Sequence, residues 1–236
     1  MDDRITKQKM NIILLVDTSK SMAGKRIKQV NTAINDIKEY LIDLQNENSN
    51  IDFYISIIQF SNDARFYNEK KCININDLNY KDIKCGGYSN LHFAYEELGK
   101  IIKKESKGGI MPDFGGATPI ILLLTDGHPT SNKYIEELDK IKKEPWFKVA
   151  LRYGIAIELN DDKTRNVLSN FVGDNGEIID CYKSEMLKNI IEIIVLTASK
   201  VQSTSSNVVI NNNTNTSNNV KQQITDALSD IESWEW

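Results

Sequence analysis

The chain has little of the chemistry that builds disulfide frameworks or zinc sites. Its three cysteines, Cys72, Cys85 and Cys181, are odd in number and never form a Cys-x-x-Cys pair. They therefore predict neither a disulfide framework nor a zinc knuckle. His92 and His128 are the only histidines, so the usual zinc sites, which need more nitrogen and sulfur ligands, are excluded as well.

The chain also lacks an excess of positive charge and any long apolar run. Lys and Arg together number 29 against 33 Asp and Glu, a formal net charge of −4, which argues against a nucleic-acid-binding surface. The longest apolar runs, Ile12–Val16 and Ile120–Leu124, are too short to cross a membrane. The first residues start acidic and lack the basic-then-apolar order of a signal peptide. We therefore expect a cytoplasmic protein that binds neither nucleic acid nor membrane.

What the sequence does have is an alternation of strand and helix patterns over its first 200 residues. Ile12–Val16 is apolar at every position, which is typical of a buried parallel strand covered by helices. Further strands are predicted near 53–60, 64–67, 120–124, 149–157 and 177–180, and helices near 27–44, 91–103, 132–143, 163–171 and 184–199. The order predicts an α/β domain over residues 1–200. Its doubly wound, mostly parallel six-stranded sheet would have one short antiparallel strand and helices on both faces.

The last part of the chain changes in composition. Residues 201–219 are rich in Ser, Thr and Asn and predict a linker, since such a segment buries too little apolar surface to fold. Residues 220–236 predict a short amphipathic helix whose apolar face contains Ile224, Leu228, Ile231 and Trp234. This helix either folds back on its own domain or fills a groove on a partner protein. The Trp in its face favours the partner, because Trp is enriched at binding hot spots.

Two of the strongly apolar strands end in an acid. Asp17 follows Ile12–Val16, and Asp126 closes a later strand. Strand ends often run into solvent and carry Asp, but the ligands of parallel sheets bind at this same edge. Ser19 and Ser21 follow Asp17 at two-residue spacing, so one loop offers three hard oxygen ligands, which suit Mg²⁺ or Mn²⁺. A serine-rich loop is also an ordinary helix N-cap, and the loop alone leaves both interpretations open.

These residues, in this order, resemble a known family. An Asp-x-Ser-x-Ser run at 17–21 after a first apolar strand, with Thr-Asp-Gly at 125–127 after a later one, is similar to the von Willebrand factor A (vWA) domain and its metal-ion-dependent adhesion site (MIDAS). That family completes the site with a Thr in a Gly-rich loop, where this chain has Ser89 after Gly86-Gly87-Tyr88. The resemblance implies a Rossmann-like vWA fold and five ligands for Mg²⁺ or Mn²⁺. They are Asp17, Ser19, Ser21, Ser89 and Asp126.

Within the family, the chain is most similar to bacterial TerY-type proteins of tellurite-resistance and stress gene clusters. The similarity rests on Leu15–Ser19, Gly24, Ile27, Val30–Asn31 and Leu124–Thr130. TerY-type proteins often end in a zinc-binding segment, for which this chain lacks the cysteines. The resemblance also implies, by association only, a protein kinase and a PP2C-type phosphatase as candidate partners.

The resemblance implies a non-catalytic binding module. A partner's Asp or Glu would replace a water on the metal and become the last ligand, so binding would depend on the metal. The alternative is a Mg²⁺-dependent phosphohydrolase-like enzyme that uses the acids at the strand ends. Haloacid-dehalogenase-like enzymes carry Asp-x-Asp after their first strand, whereas this chain has Ser19 at the second position. His128 and Tyr88 are further candidates for the rim of the site; the plain alternatives are an exposed loop histidine and a tyrosine packed under its loop.

Overall fold

The computed structural model describes residues 7–47, 50–158 and 162–204, together with Gln223 and Asp226. Within these ranges, seven strands form one sheet. Their bounds are Gln8–Asp17 (β1), Ile51–Phe60 (β2), Ala64–Phe66 (β3), Ile73–Asn74 (β4), Ile120–Thr125 (β5), Leu151–Ile157 (β6) and Gly176–Cys181 (β7). The α-helices are Lys25–Glu47 (α1), Leu91–Ile101 (α2), Lys133–Ile141 (α3), Pro145–Val149 (α4), Asp162–Val172 (α5) and Ser184–Thr204 (α6).

The sheet is open and mostly parallel. Its strand order is β3-β2-β1-β5-β6-β7, and β4 pairs with β2. β3 and β4 are antiparallel to β2, whereas the pairs among β1, β2, β5, β6 and β7 are all parallel. The predicted α/β doubly wound fold class is confirmed. The structure adds β4 to the predicted strands; its two residues form too short a pattern to be recognised in the sequence.

Helices cover both faces of the sheet, because the central strands are apolar on both sides. In β1, Ile12, Leu14 and Val16 belong to the apolar layer that contains α1 and α6. Ile13 and Leu15 belong to the opposite layer, with α2, α3 and α5. Successive side chains of a strand point to opposite faces, so one uninterrupted apolar run supplies both layers. All five side chains are at most 1% exposed.

Two helical features differ from the predicted boundaries. The short helix α4 lies between the predicted helix near 132–143 and the predicted strand near 149–157, and it starts at Pro145. Proline is favoured at the first position of a helix, where its missing N–H costs nothing, so it begins a new helix here. Helix α6 continues to Thr204, four residues into the predicted linker, because no Gly or Pro interrupts it.

The remaining predictions about the end of the chain fall outside the described residues. This applies to the rest of the predicted linker and to the predicted partner-binding side chains Ile224, Leu228, Ile231 and Trp234. In the ranges that the structure does describe, none of the helices combines the length and apolar character needed to cross a bilayer.

The fold brings the ends of β1 and β5 together at the centre of the sheet. The chain passes from β1 through α1 to β2 on one side, and from β5 through α3 and α4 to β6 on the other side. The strand order therefore reverses between β1 and β5, and such a reversal leaves a crevice at the carboxyl edge of a sheet. Val16 pairs with Leu124, so the residues that follow these two strands lie side by side.

Candidate metal-binding site

Asp17, the last residue of β1, forms the floor of this crevice and is fully buried. Its Oδ1 accepts a hydrogen bond from the backbone N–H of Ser19 at 2.8 Å. Its Oδ2 accepts hydrogen bonds from the hydroxyls of Thr125, at 2.8 Å, and Ser89, at 2.9 Å. Burial raises the pKa of Asp17, although the hydrogen bonds from Ser19, Thr125 and Ser89 act in the opposite direction. These donors are all neutral, so a bound cation would supply the positive charge that compensates the buried carboxylate.

A second chain of hydrogen bonds connects the first loop with Asp126. The hydroxyl oxygens of Ser19 and Ser21 lie 3.0 Å apart, and the Ser21 hydroxyl donates to Oδ1 of Asp126 at 2.8 Å. Ser19 and Asp126 are buried, whereas Ser21 is exposed at the rim. The structure thus brings together all five residues predicted from the sequence, on three loops. Their role as metal ligands stays a prediction.

The loop that carries Ser89 is held in place by a backbone hydrogen bond and by one position that requires glycine. The N–H of Gly86 donates to the carbonyl of Thr18 at 2.8 Å, which attaches this loop to the one that follows β1. Gly87 has a φ of +87°, and a Cβ at this position would lie 2.7 Å from side-chain atoms of Asn62. Only glycine accommodates both the backbone conformation and the close contact. The backbone hydrogen bond of Gly86 and the conformation of Gly87 therefore place Ser89 where its hydroxyl reaches Asp17.

Two side chains beside the site differ in their surroundings. Tyr88 is 69% exposed, so its ring does not pack under the loop. His128 is also exposed, and its Nδ1 lies 2.9 Å from the Thr164 hydroxyl of α5. The tyrosine is therefore open surface next to Ser89, whereas the histidine is hydrogen-bonded to a neighbouring helix.

Two residues that contact the site are not among the ligands predicted from the sequence. Thr125 donates to Asp17 from the end of β5, and Arg26 Nη1 lies 2.5 Å from Oδ2 of Asp126. Thr125 belongs to the Thr-Asp-Gly motif, so the motif itself could have identified it. No local pattern marks Arg26, because it is 100 residues from Asp126 along the chain and meets it only in the fold.

The donors of the site are hydroxyl and carboxylate oxygens. Among the described residues, no group of three or more His, Cys, Asp or Glu side chains could hold a metal ion. A metal here would therefore need the serine hydroxyls as well as the two carboxylates, and such a set fits a hard divalent cation.

The negative charge of the site also affects a nearby thiol. Burial, together with the charges of Asp17 and Asp126, raises the pKa of Cys85 to about 11.

Comparison with known families identifies the fold. The von Willebrand factor type A domain (VWA) matches residues 11–193 of the chain. The chain belongs to this family. VWA domains are metal-dependent adhesion modules that often mediate protein–protein interactions. No curated protein sequence matches the chain.

Solved structures share the VWA fold with this chain at low sequence identity. The ArnB paralog VWA2 from Sulfolobus acidocaldarius has a TM-score of 0.54 at 19% identity, over 79% of this chain and 45% of its own. Proximal thread matrix protein 1 from the mussel byssus, in a form with a zinc-occupied MIDAS motif, has a TM-score of 0.56 at 17% identity, over 82% and 48%. The pilus adhesin SpaC from Lactobacillus rhamnosus GG has a TM-score of 0.57 at 14% identity, over 83% and 31%. The chain thus spans less than half the length of each of these proteins.

Proposed function

We propose that this VWA domain binds a protein partner through a divalent metal ion at the carboxyl edge of its sheet. Asp17, Ser19, Ser21, Ser89 and Asp126 would hold Mg²⁺ or Mn²⁺. The observation that carries the proposal is the convergence of oxygen-bearing side chains from three separate loops, linked by hydrogen bonds of 2.8 to 3.0 Å. A donor set made only of oxygens suits a hard divalent ion better than a soft one.

The partner would contribute an Asp or Glu side chain to the site. A bound divalent ion supplies a positive centre for that carboxylate, and three of the five proposed ligands are neutral hydroxyls that leave its charge in place. A partner could reach the site from its rim, because Ser21 is exposed there. Tyr88, 69% exposed beside Ser89, supports a protein contact as well, since tyrosine is enriched at protein interfaces.

We further propose that the protein acts in a bacterial stress or tellurite-resistance system, as TerY-type proteins do, and in the cytoplasm. The similarity of the motifs around Asp17 and Asp126 supports the first point. The three free cysteines support a reducing compartment. A protein kinase and a PP2C-type phosphatase are the candidate partners by association, and residues 220–236 are proposed as a second element that docks on a partner.

The proposed module is not an enzyme. VWA domains are generally interaction modules, and Ser19 stands where an Asp-x-Asp phosphohydrolase carries its second acid. Steady-state phosphatase turnover with Mg²⁺ that disappears in Asp17→Ala would overturn this part of the proposal.

Isothermal titration calorimetry of the full chain tests the metal site. EDTA-stripped protein is titrated with MgCl₂ and MnCl₂, and we expect saturable uptake. Ser21→Ala should weaken the affinity by about tenfold or more, since the loss of even an outer-shell partner of a metal costs about 10- to 100-fold. Ser131→Ala is the matched control, because the Ser131 hydroxyl makes no hydrogen bond within the described residues, and it should keep the affinity. Absence of uptake of either ion contradicts the proposal.

A pull-down from cell extract, followed by mass spectrometry, tests the partner. We expect proteins that are retained by the full chain with Mg²⁺, lost with EDTA, and lost with Ser21→Ala. Partners retained equally after chelation would mean that binding does not use the metal.

A further inference from the structure

Asp126 already has a positive partner within the chain. Its side chain is 1% exposed, and its Oδ2 lies 2.5 Å from Nη1 of Arg26. Its Oδ1 accepts the hydrogen bond from Ser21 at 2.8 Å. Both oxygens of this carboxylate are therefore engaged, one by a neutral hydroxyl and the other by a full positive charge.

Arg26 is held at this position from two further sides. Its Nη1 also donates to the backbone carbonyl of Ser21 at 3.1 Å, and its Nε lies 3.4 Å from Oε2 of Glu158. The other oxygen of Glu158 pairs with Lys25 at 2.8 Å. Arg26 thus lies between two carboxylates, one in the site and one outside it, and only the inner one belongs to the proposed ligands.

A buried carboxylate is costly unless a positive charge or several donors compensate it. Asp17 has neutral donors, whereas Asp126 has the guanidinium of Arg26. A divalent cation held by Asp126 would share this carboxylate with Arg26, and two positive charges on one carboxylate repel each other. Arg26 compensates the charge of Asp126 in the metal-free protein, and for the same reason it must disfavour metal binding at Asp126.

We infer that Arg26 is a built-in competitor of the metal ion: it neutralises Asp126 in the metal-free protein and lowers the affinity of the site for a divalent cation. This inference rests on the proposed metal site and concerns its regulation. Affinity would be set by how strongly Arg26 interacts with Asp126, and the pair with Glu158 offsets part of the positive charge of Arg26.

Calorimetric titration of the full, EDTA-stripped chain with MnCl₂ tests the inference. Arg26→Gln removes the competing charge and should tighten Mn²⁺ binding by about tenfold. Arg26→Lys keeps the charge and should stay within about threefold of the parent. Lys25→Gln is the matched control, because it removes the same charge one residue away, where the contact is with Glu158 and not Asp126. It should change the affinity by less than Arg26→Gln does.

Glu158→Gln should change the Mn²⁺ affinity in the opposite direction, and it alters none of the proposed metal ligands. Without this carboxylate, Arg26 keeps its contacts with Asp126 and the Ser21 carbonyl, but its charge is no longer offset by a second carboxylate, so Mn²⁺ binding should weaken. Melting temperatures give a second readout that applies even where affinity is hard to measure. In EDTA, Arg26→Gln should melt below the parent protein, and saturating Mn²⁺ should raise its melting temperature by more than it raises the parent's, because tighter binding stabilises more.

The outcomes separate this inference from the proposed function. Equal or weaker Mn²⁺ affinity in Arg26→Gln, or an equal gain in Lys25→Gln, overturns the role of Arg26 and leaves the metal site standing. No Mn²⁺ uptake by either the parent or Arg26→Gln removes both. Uptake by Arg26→Gln that exceeds that of the parent supports both.

Discussion

At the scale of single residues, the hydroxyl of Thr125 stabilises the buried carboxylate of Asp17. It donates to Oδ2 of Asp17 at 2.8 Å. Thr125→Val keeps the shape of the side chain and removes this donor. We expect the free energy of unfolding in EDTA to fall by about 1 to 3 kcal/mol, the range for a hydrogen bond to a charged or buried group. Urea denaturation measures it.

Thr18→Val is the control for this substitution. The Thr18 hydroxyl donates to the neutral carbonyl of Phe60 at 3.0 Å, so its loss should cost about 1 kcal/mol. An equal or smaller loss in Thr125→Val than in Thr18→Val would show that the hydrogen bond to Asp17 has no special weight.

The predictability of the site also differs from residue to residue. Asp17, Ser19, Ser21 and Asp126 could be proposed from two motifs at strand ends, since spacing and residue type are local properties. Ser89 needed the alignment of a glycine-rich loop with the family pattern. Arg26 could not be found in this way, because the side chain that faces Asp126 depends on how α1 packs against the sheet.

At the scale of elements, Arg152 in β6 connects the ends of two helices. Its Nε donates to the carbonyls of Phe171 and Val172 at the end of α5, at 3.1 and 3.0 Å. Its Nη1 donates to the carbonyl of Phe147 in α4 at 2.6 Å. Burial lowers the pKa of this guanidinium to about 10, which leaves it charged at neutral pH. Helix ends carry carbonyls without helical partners, and Arg152 satisfies those of α4 and α5.

Arg152→Met should therefore destabilise the domain by about 2 to 4 kcal/mol, because it leaves several buried carbonyls without a donor. The change is measured as a shift of the urea unfolding curve. Arg165→Gln is the control. Arg165 pairs with Asp180 while both side chains remain partly exposed, and such a pair contributes about 0 to 1 kcal/mol. Similar losses in the two variants would show that the helix ends do not depend on Arg152.

Element boundaries show where sequence patterns stop being informative. Strands β1 and β5 are predictable because their apolar runs fill both faces of a sheet, and α1 is predictable because its apolar positions recur at helical spacing. β4 is only two residues long and α4 five. Elements of this length carry no measurable periodicity, so their existence depends on the neighbours that they contact.

At the scale of the whole molecule, the two apolar layers are covered by helices of the described ranges. Helix α6 buries Leu187, Ile190 and Ile194 in the layer that it shares with α1. We therefore expect that deletion of residues 220–236 leaves the melting temperature within about 2 °C of the full chain. Ile190→Ala is the positive control and should cost about 2 to 5 kcal/mol, as large-to-small changes in a core do.

A large drop on deletion would show that the C-terminal segment folds back on its own domain. An unchanged melting temperature, together with the loss of a partner in the pull-down, supports its docking on another protein. Thermal denaturation of the two chain lengths, side by side, distinguishes these outcomes.

Local patterns by themselves determined the class of the fold, the edge of the sheet that carries the candidate site and the residue types at that edge. They could do so because strand burial, helical spacing and motif order are properties of neighbouring positions in the chain. Only the tertiary structure decided which side chains compensate the two acids. Thr125 meets Asp17, and Arg26 meets Asp126, across separations of 108 and 100 residues. Contacts of this range exist only after the strand order and the position of α1 on the sheet are set, and both are set by packing of the whole core.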